Sequence, residues 1–146
     1  MTGILGIKVP IGNLSGGNGG GKSIIGRGRW HAASTGSRVN GWFGSDSDLG
    51  SANEDLIRIP IGYAATLRNF VVHVFTNSKA TTTELRVRKN SADSAILISI
   101  GGSLDGEFSD LSNSETVDND DYVSMELDGP AGTTDIRSVK LEVEAT

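Results

Sequence analysis

One run of this chain has residue types and spacing that match a known chemistry. Gly16-Gly17-Asn18-Gly19-Gly20-Gly21-Lys22-Ser23 satisfies the phosphate-loop pattern G-x-x-x-x-G-K-S. In that chemistry main-chain N–H groups and the N-terminus of a following helix cradle phosphate, the lysine reaches its outer oxygens, and the serine meets magnesium. The loop therefore needs a buried strand before it and a helix after it. Here the chain continues Ile24-Ile25-Gly26-Arg27-Gly28-Arg29-Trp30, whose two glycines oppose a helix. No strand–helix alternation accompanies it, and no buried strand ending in a magnesium-binding Asp is evident. Glycine-rich runs meet this pattern by composition alone, so nucleotide binding through Gly16–Ser23 stands as a remote alternative.

The other chemical candidates are thinner. Arg27-Gly28-Arg29-Trp30-His31 combines guanidinium groups with an aromatic, a mixture that grips phosphate and stacks on bases. Only five basic residues are spread over positions 1–45, however, and the remainder of the chain is acidic and repels a polyanion. No nucleic-acid partner is expected. His31 and His73 are the only histidines, and neither groups with a serine and an acid into a triad. Asp118-Asn119-Asp120-Asp121 offers hard oxygens for calcium but lacks the glycine and distal Glu of an EF-hand loop, so it reads as a solvated turn. With no cysteine in the chain, disulfides, thiolate metal sites and thiol catalysis are excluded. The expectation is a protein that is not an enzyme, with no catalytic residue, no cofactor and no metal.

The elements that would position any site divide the chain near Asp46. Residues 1–45 hold no acidic residue and carry Lys8, Lys22, Arg27, Arg29 and Arg38. Residues 46–146 hold all 18 acidic residues against the other eight of 13 basic ones, a net of −10 within an overall −5. Fifteen of the 20 glycines lie at or before Gly62, and such a segment is ordered only when something holds it. Residues 1–55 are therefore expected to be an extended basic arm. Trp30, Trp42 and Phe43 are costly to leave in water and act well as pocket anchors. Together with Arg27, Arg29 and Arg38 they are the expected docking residues of that arm.

From position 56 the period becomes that of strands. Leu56-Ile57-Arg58-Ile59-Pro60-Ile61 alternates, with Pro60 placing it at a sheet edge or ending it. Residues 66–75 form the strongest strand, followed by 82–89, 95–100, 122–128 and 135–144, with turn-rich clusters between. Residues 101–121 are polar and acidic, with Phe108, Leu111 and Val117 as isolated apolar points in at most a short strand. No window carries a 3.6-residue apolar stripe. Strands recurring without helices predict an all-β fold, an antiparallel β-sandwich or jelly roll over residues 56–146. A body of roughly 90 residues with a small core gains from burial between subunits, so a homo-oligomer is expected.

Residues 57–62, 64–72, Thr83-Glu84-Leu85-Arg86-Val87-Arg88-Lys89-Asn90, 95–100, and Val117-Asp118-Asn119-Asp120-Asp121-Tyr122-Val123-Ser124 run in an order that resembles small jelly-roll virion proteins of tailed bacteriophages and prophages, described as head decoration, cement or fibre-associated proteins. Their fold is akin to the trimeric tumour-necrosis-factor and C1q heads. The resemblance covers residues 56–146. It departs at Lys89-Asn90-Ser91, where the family often has Asn-Gly for a two-residue turn. It implies a trimer on the virion, at the capsid surface, whose arm binds the major capsid protein or another virion protein. Its alternative is a receptor- or glycan-binding fibre head with recognition by loops 76–81, 101–116 and 129–135. The first residues lack a charged region followed by an apolar run, and no stretch approaches the ~20 apolar residues of a membrane span. Synthesis in the host cytoplasm without a signal peptide, and no membrane partner, are expected.

Overall fold

A computed structural model describes the main chain of residues 22–25, 30–34 and 38–41, and all of residue 54 and residues 58–146. The described residues form ten strands and no α-helix. They are β1 (Lys22–Ile25), β2 (Trp30–Ser34), β3 (Arg38–Gly41), β4 (Ile59–Pro60), β5 (Ala65–Asn77), β6 (Thr83–Lys89), β7 (Ala92–Ile100), β8 (Gly106–Val117), β9 (Tyr122–Asp128) and β10 (Gly132–Ala145). Sheet A runs β1-β10-β5-β8, with β2 also on β10. Sheet B runs β3-β9-β6-β7, with β4 also on β9.

All pairs are antiparallel, and they nest. β6 pairs its neighbour β7, β5 pairs β8, β3 and β4 pair β9, and β1 and β2 pair β10. Cross-links β5–β10 and β6–β9 complete each sheet. A long hairpin rolled in this way is a jelly-roll sandwich, the fold class expected from the strand pattern.

The core follows from alternation. Leu67, Phe70, Val72 and Val74 of β5 face Leu85 and Val87 of β6, Ile96, Ile98 and Ile100 of β7, and Met125 and Leu127 of β9, all almost fully buried. Pro60, which has no N–H to give a ladder, lies in β4 at the edge of sheet B, as its chemistry requires.

Two departures from the sequence pattern have physical causes. β8 is a twelve-residue strand where a short one was expected. Its register against β5 jumps between Asp110 and Ser114, and this bulge breaks the alternation that would have revealed it. The residue opposite, Asn69, takes φ 52°, a conformation Asn tolerates better than most residues, and its side-chain amide donates to Glu142 at 2.7 Å. The second departure is at residues 22–41. β1, β2 and β3, from the segment expected as an arm, lie in the sheets with the body strands β10 and β9. They are the glycine-poor runs of that segment, where the entropic obstacle to pairing is least.

Asn90 and Ser91 make a two-residue turn between β6 and β7, with φ 50° and 65°. Positive φ at both central positions is the type I′ geometry that suits hairpin twist. Ser91 is held there without a glycine because its carbonyl accepts from the Arg88 guanidinium, while the Asn90 amide donates to Asp121 at 2.5 Å.

Candidate functional site

Jelly-roll connections collect at two ends of the sandwich, and each end is pinned by one charged side chain. At the first end the β5–β6, β7–β8 and β9–β10 connections meet around Lys79. Its side chain is 1% exposed and its Nζ donates to the Pro130 carbonyl at 2.7 Å. Its own carbonyl accepts the Ser103 N–H at 2.9 Å, so one residue ties all three connections. Burial pulls the Lys79 ammonium below its ordinary pKa, and the charge of Asp128 opposes that pull.

Asn77 braces the same junction. Its amide donates to the Gly101 carbonyl at 3.0 Å, and its side-chain oxygen accepts from the Lys79 N–H and the Thr134 hydroxyl. The connections pack with no room to spare. A Cβ on Gly102 would lie 2.4 Å from the Ala80 carbonyl oxygen, and Gly132, at φ 137°, sits where a Cβ would press on Lys79. The surface of this end is small and polar apart from Leu104, which is 54% exposed. These are the three loops read from sequence as a recognition surface, shortened because β8 claims residues 106–116. What the sequence did not reveal is Lys79, since a lysine in a turn cluster reads as solvated; the small residues at 129–132 that make room for it were the available signal.

At the opposite end Asp121 is the hub. Its carboxylate accepts from the Asp118 N–H at 2.8 Å and from the Asn90 amide, and lies 3.3 Å from Lys89 Nζ. The Asp118 hydrogen bond is the largest influence holding the Asp121 carboxyl below its usual range, with Asn90 and Lys89 adding to it against burial. The Asp118–Asp121 turn therefore commits one of its carboxylates to fastening the β6–β7 turn to β9. Among the described residues no group of three or more His, Asp or Glu could hold a metal ion.

A third cluster covers the outer face of sheet B. Arg88 Nη1 reaches Asp93 at 2.6 Å and Glu126 at 2.8 Å, and its Nε reaches Glu54 at 3.3 Å. Ser124 donates to the same Glu54 oxygen. Glu126 and Ser124 are buried although they point away from the core, so Glu54 and Arg88 act as a lid on this face.

The expected docking residues are distributed as follows. Trp30 lies in backbone register with Ile136, and Arg38 with Asp128. Arg27, Arg29, Trp42 and Phe43 lie outside the described residues. Lys22, the lysine of the phosphate-loop pattern, opens β1 opposite Glu144. Where a phosphate loop needs a helix, the main chain is a strand. His31 pairs in register with Asp135 and His73 is exposed on β5, so the structure does not bring the two histidines together as a site. No family model matches the chain, and no curated protein matches it in sequence.

Proposed function

We propose that this chain is a structural virion protein, a capsid decoration or cement protein that trimerises and binds the coat lattice of a phage head. The single observation that supports this reading best is the nested jelly roll in which β1 and β2 join β10 while β3 joins β9. A segment sewn into both sheets of the body transmits load from whatever residues 1–21 bind, which is the mechanical requirement of a cement protein. Three copies would present three such segments at once, and their high effective concentration offsets the ordering of each.

The test is location. Imaging of particles purified from cells that express the gene should place copies over the capsid surface, and copies found only at a vertex or tail would overturn the decoration reading.

A second reading is favoured by the Lys79 junction: a receptor- or glycan-binding fibre head whose preorganised tip carries recognition. Preorganisation lowers the entropy lost on binding. Glycan-array binding abolished by Leu104→Asp, with an unchanged melting temperature, would decide for it; no binding to any glycan would dispose of the glycan form.

A further inference from the structure

We infer that the outer face of sheet A at Phe75 and Arg137 receives the edge strand β8 of a second copy of this chain. The inference rests on the homo-oligomer reading above and assigns its surfaces.

It begins with an oddity of register. Along β5–β10 the pairing shifts between Asp135 and Ile136 and shifts back between Ile136 and Ser138. Phe75 is the extra residue on β5 and Arg137 the extra residue on β10, one on each side of the Val74–Ile136 pair. The two bulges cancel, so they change nothing in the pairing farther along. Their effect is local: they re-aim two side chains, a usual role of bulges in a sheet.

Those two side chains stack. The Arg137 guanidinium carbon lies 3.2 Å from the centre of the Phe75 ring, and each side chain is 44% exposed. Among the described residues the only ion-pair partner of Arg137 is Asp135, 3.6 Å from its Nε. An exposed aromatic stacked with an underused arginine has the composition of an interface anchor.

The complement is on the same chain. Four large apolar side chains are exposed among the described residues: Phe75, Leu104, Leu111 and Tyr122. Tyr122 is stacked by Arg58 at 4.4 Å, and Leu104 leans on Gly101. Leu111, 63% exposed, stands in the bulge of β8, the outermost strand of sheet A. Four residues earlier on β8 is Glu107, exposed and without an ion pair among the described residues. Four residues of strand span about 13 Å, so Leu111 and Glu107 are two separate contact points on one face of β8. Phe75 meeting Leu111 and Arg137 meeting Glu107 would satisfy both apolar groups and both charges at once. Glu107 lies in register with the exposed His73, so β8 presents it and Leu111 on the same outer face of sheet A as Phe75 and Arg137, and two copies can meet face to face with each contact made twice.

The absence of cysteine makes the test clean. A mixture of Phe75→Cys and Leu111→Cys chains should form a disulfide-linked dimer under mild oxidation, while neither variant alone does. Self-linking of Phe75→Cys would overturn the inference in favour of a Phe75-to-Phe75 contact, and no link in the mixture would overturn it outright. In sedimentation equilibrium, Arg137→Glu should weaken association at least tenfold, and the added Glu107→Arg should restore it. If the wild-type chain is monomeric at every concentration, the homo-oligomer reading itself fails. If it is oligomeric and Arg137→Glu leaves its mass unchanged, that reading stands and this surface assignment falls.

Discussion

The Asp110 carboxylate accepts the Leu97 main-chain N–H at 2.9 Å and so joins the edge strand of one sheet to the edge strand of the other. Free N–H groups on an edge strand invite pairing with other chains; here a side chain from the facing sheet occupies one of them. The same carboxylate accepts from the Ser112 and Asn113 N–H groups, each at 3.1 Å, and thereby holds the β8 bulge closed. Asp110→Ala should cost about 2–3 kcal/mol in urea unfolding, the range for losing hydrogen bonds to a charged acceptor.

Acid should act through the same group. Burial pushes the Asp110 carboxyl up, but the hydrogen bonds from Leu97, Asn113 and Ser112 outweigh it and hold the group below its ordinary value. Asp121 is also held low. For a carboxyl depressed in the folded state, the stabilisation is complete above the unfolded-chain pKa, about 4, and is lost as pH falls through the folded value. Urea titrations between pH 6 and pH 2 should show stability falling below about pH 4, and Asp110→Asn should flatten that fall. Parallel curves for the two proteins would refute the assignment.

Lys79→Ala should destabilise by about 2–4 kcal/mol, since it removes a buried stem and leaves the Pro130 carbonyl without its donor. The pH dependence has the opposite sense to that of a paired lysine. Because burial lowers Lys79, the unfolded chain binds this proton more tightly. Wild-type stability should therefore rise, relative to Lys79→Met, as pH climbs from the folded value toward about 10.4. Thermal melts across pH 7–10 measure it.

Arg88 and Arg86 sit on the same face of β6 and should behave differently. Arg88 pairs with Glu126, whose side chain is 4% exposed, so Arg88→Ala should cost about 2 kcal/mol by removing a hydrogen bond to a buried carboxylate. Arg86 pairs with Glu84 and Asp93, which are 38% and 39% exposed, and its loss should cost under about 1 kcal/mol. Replacing both Arg88 and Glu126 by Met and Leu should recover more than half of the single-variant loss. No recovery would mean that the lid depends on the charges and not merely on their being matched.

Truncation should separate folding from attachment at residue 21. Removing 2–21 leaves every described strand and should leave the melting temperature within a few degrees. Removing 2–45, the cut suggested by the charge boundary, also strips β1 and β2 from β10 and β3 from β9. That deletion should lower the melting temperature sharply, as differential scanning calorimetry would show.

Sequence pattern located the strands wherever one face alternates cleanly. Residues 66–75, 82–89 and 122–128 coincide with β5, β6 and β9 to within a few positions, because each sets a row of Val, Leu, Ile, Phe or Met against polar neighbours. It underestimated β8, where only Phe108 and Val117 mark the inner face and the bulge at 110–114 shifts the phase between them. It read residues 1–55 by glycine content and so missed pairing that depends on β9 and β10, which lie more than eighty residues away in the chain. The hubs were hidden for a different reason. Burial of Lys79 and the grip of Asp121 on Lys89 and Asn90 arise only when loops distant in sequence share one end of the sandwich.

The position of β10 sets the timing of assembly during synthesis. It pairs with β1, β2 and β5, yet it is made after all of them. At ordinary translation rates the fifty-odd residues between β5 and β10 occupy on the order of several seconds. Through that interval the nascent chain carries Leu67, Phe70, Val72 and Val74 with no central strand beside them. Sheet A closes only when residues 132–145 leave the ribosome, and for the cell the dangerous moment of this fold is its birth.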